Sequence, residues 1–372
     1  MSKTLTDIAQ QLKDAGKKVQ LIYAFNGTGK TRLSRAFKQL IAPKTEGEEA
    51  QSSDLADKKV LYYSAFTEDL FYWDNDLGQD AEPKLIIQPN SFTKWVLEEQ
   101  GQDQSITATF QHYTSEKLTP HFSADFSSVS FSFERGNEQQ EPHIKISKGE
   151  ESNFIWSVFN ALLEQVIAEL NIAEVTNRST DVFNNLKYVF VDDPVSSLDE
   201  NHLIELAVNL AGLIKSSQST DLKFIITTHS PLFYNVLFNE FNSKACYMLE
   251  RLEDGSFTLT EKHGDSNKSF SYHLHLLQTI EQAIADQKVE RYHFTLLRNL
   301  YEKTASFLGY PKWSELLPDD KQLYHSRIIN FTSHSTLSNE AMAVPTPAEQ
   351  ATVKLLTDHL KSRHAFWQQQ GA

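Results

Sequence analysis

The stretch Ala24-Phe25-Asn26-Gly27-Thr28-Gly29-Lys30-Thr31 limits what this chain can fold into more than any other. It follows an apolar run, Val19 to Tyr23, with the character of a buried strand, and it precedes Arg32 to Leu40, whose apolar spacing is helical. That strand-loop-helix context separates a phosphate-binding loop from a chance pair of glycines. Gly27 and Gly29 let the backbone turn its N–H groups, those of Asn26 and Thr28 among them, around an anion. Lys30 reaches terminal phosphates, and the Thr31 hydroxyl can hold Mg²⁺. The first position is Ala24 where many such loops carry glycine, and a small residue suffices there.

At 372 residues the chain has room for two or three domains with full cores, and its 40% hydrophobic content argues for globular structure. One cysteine, Cys246, excludes a disulfide framework and fits a reducing compartment. Met1 to Lys18 is polar, and no apolar run is long enough to span a bilayer, so a cytoplasmic protein is expected. The net charge of −14 argues at first against a polyanionic partner. From Thr260 to Glu340, however, nine Lys/Arg face ten Asp/Glu, with six of the 13 histidines. The acidity therefore lies almost wholly before residue 260, and a C-terminal module can still bind a polyanion locally.

Along the chain, Leu5 to Ala15 has the spacing of a short amphipathic helix. Residues 44–58, with Glu46, Glu48, Glu49, Asp54 and Asp57, read as a mobile acidic insertion. From Lys59 to Ser147 the period falls to two, and Val60 to Phe66, Lys84 to Ile87, Ile106 to Phe110, Val129 to Phe133 and Ile144 to Ser147 are strand candidates. The aromatic, acidic stretch Phe66 to Asp76 is read as core packing in preference to a base-facing lip. Ser147-Lys148-Gly149-Glu150-Glu151 opens a long helical pattern, and a serine and a glycine at a helix start are the components of an anion site or simply of a cap.

Leu186 to Val191 is a second buried strand, ending in Asp192-Asp193-Pro194-Val195-Ser196-Ser197-Leu198-Asp199. An acidic pair at a strand's C-terminal end suits a nucleotide site, with Asp192 supporting Mg²⁺ through water and Asp193 polarising the attacking water. Leu203 to Ile214 is helical. A third buried strand, Phe224 to Thr228, ends in His229, which can hydrogen-bond a γ-phosphate.

After about Met248 the composition changes. Lys262 to His273 is polar and interleaved with aromatics; it is either a solvated loop or a surface on which Asp265, Ser266, Asn267, Lys268, Ser269 and Tyr272 bind unpaired bases. Val289 to Leu308 has helical spacing, placing Arg298 and Glu302 four apart on one face. That spacing suits an intrahelical ion pair, although Arg before Glu is the poorer order for one. With His334 they also supply a guanidinium, a carboxylate and an imidazole, enough for metal-free RNA cleavage: one group deprotonates the ribose 2′-OH, another protonates the leaving 5′-oxygen, and Arg298 stabilises the phosphorane. His273, His275, His293 and His325 read as partners in local hydrogen bonds. Pro345 to Trp367 reads as a linker and a docking helix.

The ordered series of loop, serine-glycine cap, Asp-Asp and strand-His resembles the ATP-binding-cassette superfamily of NTPases across Val19 to Leu237. The resemblance makes Ala24 to Thr31 the Walker A loop, and it makes Ser147, Gly149 and Glu150 part of the signature that completes a partner's nucleotide site. Tyr188 to Asp193 become Walker B, Ser197 to Asp199 the D-loop, and His229 the switch histidine. Asp193 stands where the superfamily usually has Glu, which implies slow, regulatory turnover; Gln88 is the candidate Q-loop residue. Together with Lys262 to His273 and the set Arg298, Glu302, His334, the whole chain resembles the PrrC-type anticodon nucleases of bacteria.

That resemblance implies a P-loop NTPase of the ATP-binding-cassette type with an antiparallel β subdomain, over residues 1–248, followed by a mainly α-helical nuclease domain, 249–372. It implies a latent antiphage ribonuclease that cuts tRNA-Lys 5′ to the wobble base, leaving a 2′,3′-cyclic phosphate and a 5′-OH, with no metal at the nuclease site. GTP or ATP with Mg²⁺ would gate it, and dTTP would be a regulatory ligand. Implied partners are further copies of the chain, as a head-to-tail dimer or a dimer of dimers, a type I restriction-modification complex that silences it, and a phage peptide that triggers it. The alternative from another class is a DNA-sensing cassette ATPase that recruits a separate effector, with Arg298, Glu302 and His334 structural.

Overall fold

The computed structural model describes residues 2–43, 58–64, 70–75, 82–135, 139–194, 200–241, 245–252, 254–262, 272–333 and 345–364. The chain divides into two units, Met1–Gly264 and Asp265–Ala372.

The first unit begins with α1 (Leu5–Ala15), whose start is fixed by a reciprocal cap between Thr4 and Asp7 and whose end is set by the left-handed Gly16. Next come β1 (Val19–Tyr23), α2 (Lys30–Ile41), β2 (Val60–Ser64), β3 (Phe71–Asp74), β4 (Lys84–Ile87) and α3 (Ser91–Lys94). A π-helical turn at Trp95–Glu99 leads into α4 (Asp103–Tyr113), β5 (Leu118–Phe122), β6 (Ser128–Arg135), β7 (Gln139–Glu141) and α5 (Lys148–Asn171). The unit closes with β8 (Tyr188–Asp192), α6 (Glu200–Ser216), β9 (Lys223–Thr228), α7 (Pro231–Phe241), β10 (Cys246–Arg251) and β11 (Phe257–Glu261).

One six-stranded sheet has the order β11-β10-β1-β9-β8-β2, parallel except for the β10–β11 hairpin. Its strands are near-continuous apolar runs because helices cover both faces. Leu12 of α1 and Leu33 and Phe37 of α2 join Ile22, Phe190 and Ile225 in one core, while α7 packs against β1 and β9 on the sheet. Tyr23↔Thr228 and Asp192↔Thr227 are register partners. The ends of β1, β9 and β8 therefore lie side by side, and the carboxyl edge of such a sheet is where ligands bind.

The second sheet, β3-β4-β6-β5 with β7 on β6, is antiparallel; α4 packs against β5 and against α5. Phe110, Phe131 and Phe154 meet edge-on and tilted at 5.3 to 5.7 Å. Phe71 joins them, and the Trp73 indole N–H donates to Glu151 at 2.9 Å, so these two side chains pack inward as expected, while Tyr72 between them is 50% exposed.

The second unit comprises α8 (Tyr272–Ala285), α9 (Arg291–Leu308), a 3-10 turn at Trp313–Leu316, α10 (Lys321–Ser333) and α11 (Pro347–His364). Leu297, Leu300 and Tyr301 of α9 form its centre with Ile280 of α8 and Val353, Leu356 and Leu360 of α11. The docking helix expected near the C-terminus is α11, with Leu355 facing outward. This is the expected fold class: a P-loop α/β unit with an antiparallel subdomain, then helices.

Three expectations are corrected. Ile106 to Phe110 lies within a helix, α4, not a strand; Ile106 and Phe110 are four apart, which satisfies a helical face as well as an alternation. Ile144 to Ser147 forms no strand and leads into the cap of α5. The division of the chain falls at 264, not 248, because β10 continues through a turn at Gly255 into β11 and the sheet takes in both strands. The acidic insertion, 44–58, lies outside the described residues except for Lys58.

Candidate functional site

The loop between β1 and α2 has the backbone its glycines allow. Gly27 has φ of 79° and Gly29 φ of 111°, left-handed values that side chains rarely adopt. Lys30 opens α2 and is buried, its ammonium donating to the Ala24 carbonyl at 3.1 Å and to the Phe25 carbonyl and Asn26 Oδ1 at 3.3 Å. It also lies 3.3 Å from Asp193 Oδ2, so the loop lysine and the acidic pair share one site. Thr28 is buried in the same loop.

Asp192 and Asp193 are adjacent in sequence and opposite in environment. Burial raises the Asp192 carboxyl above its ordinary value, against hydrogen bonds from Thr227, Thr31 and Tyr62. The Thr227 hydroxyl donates to Oδ1 at 2.7 Å and the Tyr62 hydroxyl to Oδ2 at 3.2 Å. Ser34 of α2 extends the network by donating to the Tyr62 hydroxyl at 3.0 Å. Asp193 is also buried, but the His229 hydrogen bond and the charges of Lys30 and His229 outweigh that burial and lower its carboxyl. His229 Nδ1 lies 2.7 Å from each carboxylate oxygen, and the His229 N–H donates to Oδ1 at 3.2 Å.

The donor set fits a nucleotide with Mg²⁺. A divalent magnesium ion usually takes one or two carboxylates plus phosphate oxygens rather than an all-protein cage. Asp192 and Thr31 offer that, and among the described residues no group of three or more His, Cys, Asp or Glu is placed to hold a metal.

Tyr62, Ser34, Thr227 and Phe257 belong to this site and were not singled out in the sequence. Thr227 had a signal of a kind, as the residue before Thr228 on a strand ending beside Asp192. Phe257 had none: it comes from β11, and a Cβ on Gly29 would meet its ring at 3.3 Å. Arg32 lies over the same ring, 5.8 Å from its centroid.

Ser147 is the N-cap of α5, accepting from the Glu150 N–H at 3.3 Å while Glu150 Oε2 accepts from the Ser147 N–H at 2.7 Å. Ser147 is exposed, and Gly149 lies in the first turn. Gln88 is exposed at the end of β4, in the antiparallel sheet. The D-loop residues Ser197 to Asp199 lie outside the described residues.

In the second unit Arg298 Nε donates to Glu302 Oε1 at 2.7 Å, so the pair expected from the spacing is formed on the half-exposed face of α9. Glu302 borders a cavity of about 500 Å³ with Trp313 and His325. His334 follows the last residue of α10 and lies outside the described residues, as do Asp265, Ser266, Asn267, Lys268 and Ser269; Tyr272 is the first residue of α8. His293 takes the local role expected of it, its Nδ1 accepting from the Glu290 N–H at 2.9 Å within a helix cap.

Over its whole length the chain is 70% identical, across 393 aligned positions, to an anticodon nuclease of Escherichia coli, a match that takes in 100% of this chain and 99% of that protein. The chain belongs to the anticodon nuclease family. No protein-family model matches the sequence. Among solved structures, this family member is similar at low TM-score to an Smc head bound to the C-winged helix domain of ScpA (0.33, 12% identity, 66% of this chain and 90% of that one). It is similar in the same way to the SMC head domain from Thermotoga maritima (0.31, 12% identity, 66% and 91%). No helix among the described residues is long and apolar enough to cross a membrane.

Proposed function

We propose that this protein is an NTP-gated, metal-independent endoribonuclease that cuts tRNA-Lys in the anticodon loop, 5′ to the wobble base. The observation that carries the reading is the full-length identity to an anticodon nuclease; the Arg298–Glu302 pair beside a cavity gives it a chemical centre.

Cleavage needs no group from outside the chain. With Glu302 and His334 as base and acid, in either order, one removes the proton from the ribose 2′-OH as its oxygen attacks the adjacent phosphorus. The other protonates the departing 5′-oxygen. The products are a 2′,3′-cyclic phosphate and a 5′-OH. Arg298, already oriented by Glu302, would bear on the equatorial oxygens of the phosphorane.

At the sheet edge, Lys30 and the loop N–H groups would hold the phosphates of GTP or ATP, and Thr31 and Asp192 would hold Mg²⁺. When bound, that ion would neutralise phosphate charge. Asp193, held ionised by His229 and Lys30, is a weak base, which favours slow turnover suited to gating over rapid hydrolysis. The exposed Ser147 cap supports a head-to-tail dimer in which it meets the partner's nucleotide. A regulatory dTTP, silencing by a type I restriction-modification complex and release by a phage peptide belong to the same proposal.

The test is to incubate the purified protein with bulk tRNA in EDTA and map the ends. Cuts 5′ to the wobble position of tRNA-Lys with cyclic phosphate termini, lost in His334→Ala while nucleotide affinity is kept, are expected. Intact tRNA under every nucleotide condition would favour the DNA-sensing ATPase instead.

A further inference from the structure

The cavity beside Glu302 has a wall that acid–base chemistry does not require. The Trp313 and His325 rings are stacked, with centroids 4.9 Å apart and planes 23° from parallel. Behind them the arrangement is packed. Trp313 meets the buried Tyr301 ring edge-on at 6.3 Å, and the Tyr301 hydroxyl is fixed to the Leu356 carbonyl at 2.8 Å. Tyr310 and Lys312, both exposed, complete the rim. Beyond it Phe307, next to the lining residue Ser306, stands 86% exposed at the end of α9.

A flat π-surface, a cation at the rim and a carboxylate in the lining form a set that suits one unpaired nucleotide. The ring stack takes the base face, since stacking tolerates any base. Lys312 suits a phosphate, and the volume lies within the ~300–1,000 Å³ of small-ligand sites. Trp313 packs on the helical core and also lines the opening, beside the half-exposed Glu302 carboxylate.

We propose that this cavity is the subsite for a nucleobase flanking the scissile phosphate, with the Trp313–His325 stack as its platform and Lys312 as its phosphate contact. The proposal rests on the nuclease reading of Glu302 and adds to it. Stacking one base splays the backbone at the cut, as in-line attack by the 2′-oxygen requires, so Trp313 and His325 are positioning residues.

The test uses the full-length protein and an anticodon stem-loop RNA made uncleavable by a single 2′-deoxy nucleotide at the cut. A 2-aminopurine replaces the base on its 5′ side in one RNA and on its 3′ side in another. Binding to the wild type should quench one of the two, which identifies the base. His325→Ala and Trp313→Leu should each abolish most of that quenching and weaken binding about tenfold, the loss expected for one stacked base. Lys312→Ala should weaken binding and leave the quenching of bound RNA in place. Because His325 is partly exposed, its variant reports even where Trp313→Leu unfolds. Quenching at neither position, or quenching and affinity unchanged in His325→Ala, overturns the subsite. A wild type that quenches the base yet never cuts natural stem-loop overturns the nuclease reading and leaves the cavity as a base-binding site alone.

Discussion

His229 Nδ1 sits 2.7 Å from both oxygens of Asp193, and the same carboxylate is 3.3 Å from the Lys30 ammonium. Asp193 is therefore lowered below its ordinary 3.8 although it is buried. A group depressed in the folded state stabilises that state above its unfolded value, and the contribution disappears as pH falls through the folded one. Asp193→Asn should thus unfold at lower urea than the wild type at pH 7, with the gap closing below about pH 4. A gap that stays constant from pH 7 to pH 3 would show that the charge of Asp193 does not stabilise the fold.

Gly29 is the position where the loop between β1 and α2 tolerates least. Its φ of 111° excludes an ordinary side chain, and Phe257 closes the space above it at 3.3 Å. Gly29→Ala should cost about 1–3 kcal/mol, as such backbone strain does, and should weaken binding of a fluorescent GTP or ATP analogue. Adding Phe257→Leu removes the contact and leaves the dihedral, so the double variant should recover little. Full recovery in thermal unfolding would make the ring, and not the backbone, the limiting element.

Arg298 and Glu302 separate stability from chemistry. An ion pair of this exposure contributes roughly 0.3–0.5 kcal/mol, so Arg298→Ala should barely move the unfolding midpoint. If the guanidinium serves the phosphorane, the same change should lower single-turnover cleavage of tRNA by about 10²–10³-fold. A variant that cuts normally would leave the pair as a helix-surface contact only.

Leu356 joins α11 to the centre of the second unit. It is fully buried in the cluster with Leu297, Leu300 and Tyr301. Leu356→Ala should destabilise that unit by about 2–5 kcal/mol, seen as an earlier transition in calorimetry. Nucleotide binding at Lys30 should stay as in the wild type. An unshifted transition would mean that α11 is dispensable to the helical core.

The proposed nucleotide site was legible because its residues sit where fully buried strands end. Val19 to Tyr23 and the run to Asp192 are apolar enough to be interior strands, and residues just past the carboxyl end of a strand in a parallel sheet are in position to act. The antiparallel part was harder to see. β5 contains Pro120, which a strand tolerates only at a sheet edge, and β5 is an edge strand. The β10–β11 turn did carry a signal in Asp254-Gly255, where Ser256 N–H donates to Asp254 Oδ1 at 2.9 Å and Gly255 has φ of 81°. A change of composition near Met248 masked it. In the second unit the spacing gave Arg298 beside Glu302, but the stack of Trp313 on His325 depends on how a 3-10 turn meets α10, which no periodicity encodes.

The reciprocal cap at the start of α5 has a consequence for assembly. The carboxylate of Glu150 already occupies the amide of Ser147 at that helix end, acting as a resident understudy for any incoming anion. A phosphate docking there must first evict it and gains only the difference between the two. In the proposed head-to-tail dimer, recognition through Ser147 would therefore be weak taken singly, and two copies would engage durably only when both helix ends make the exchange together.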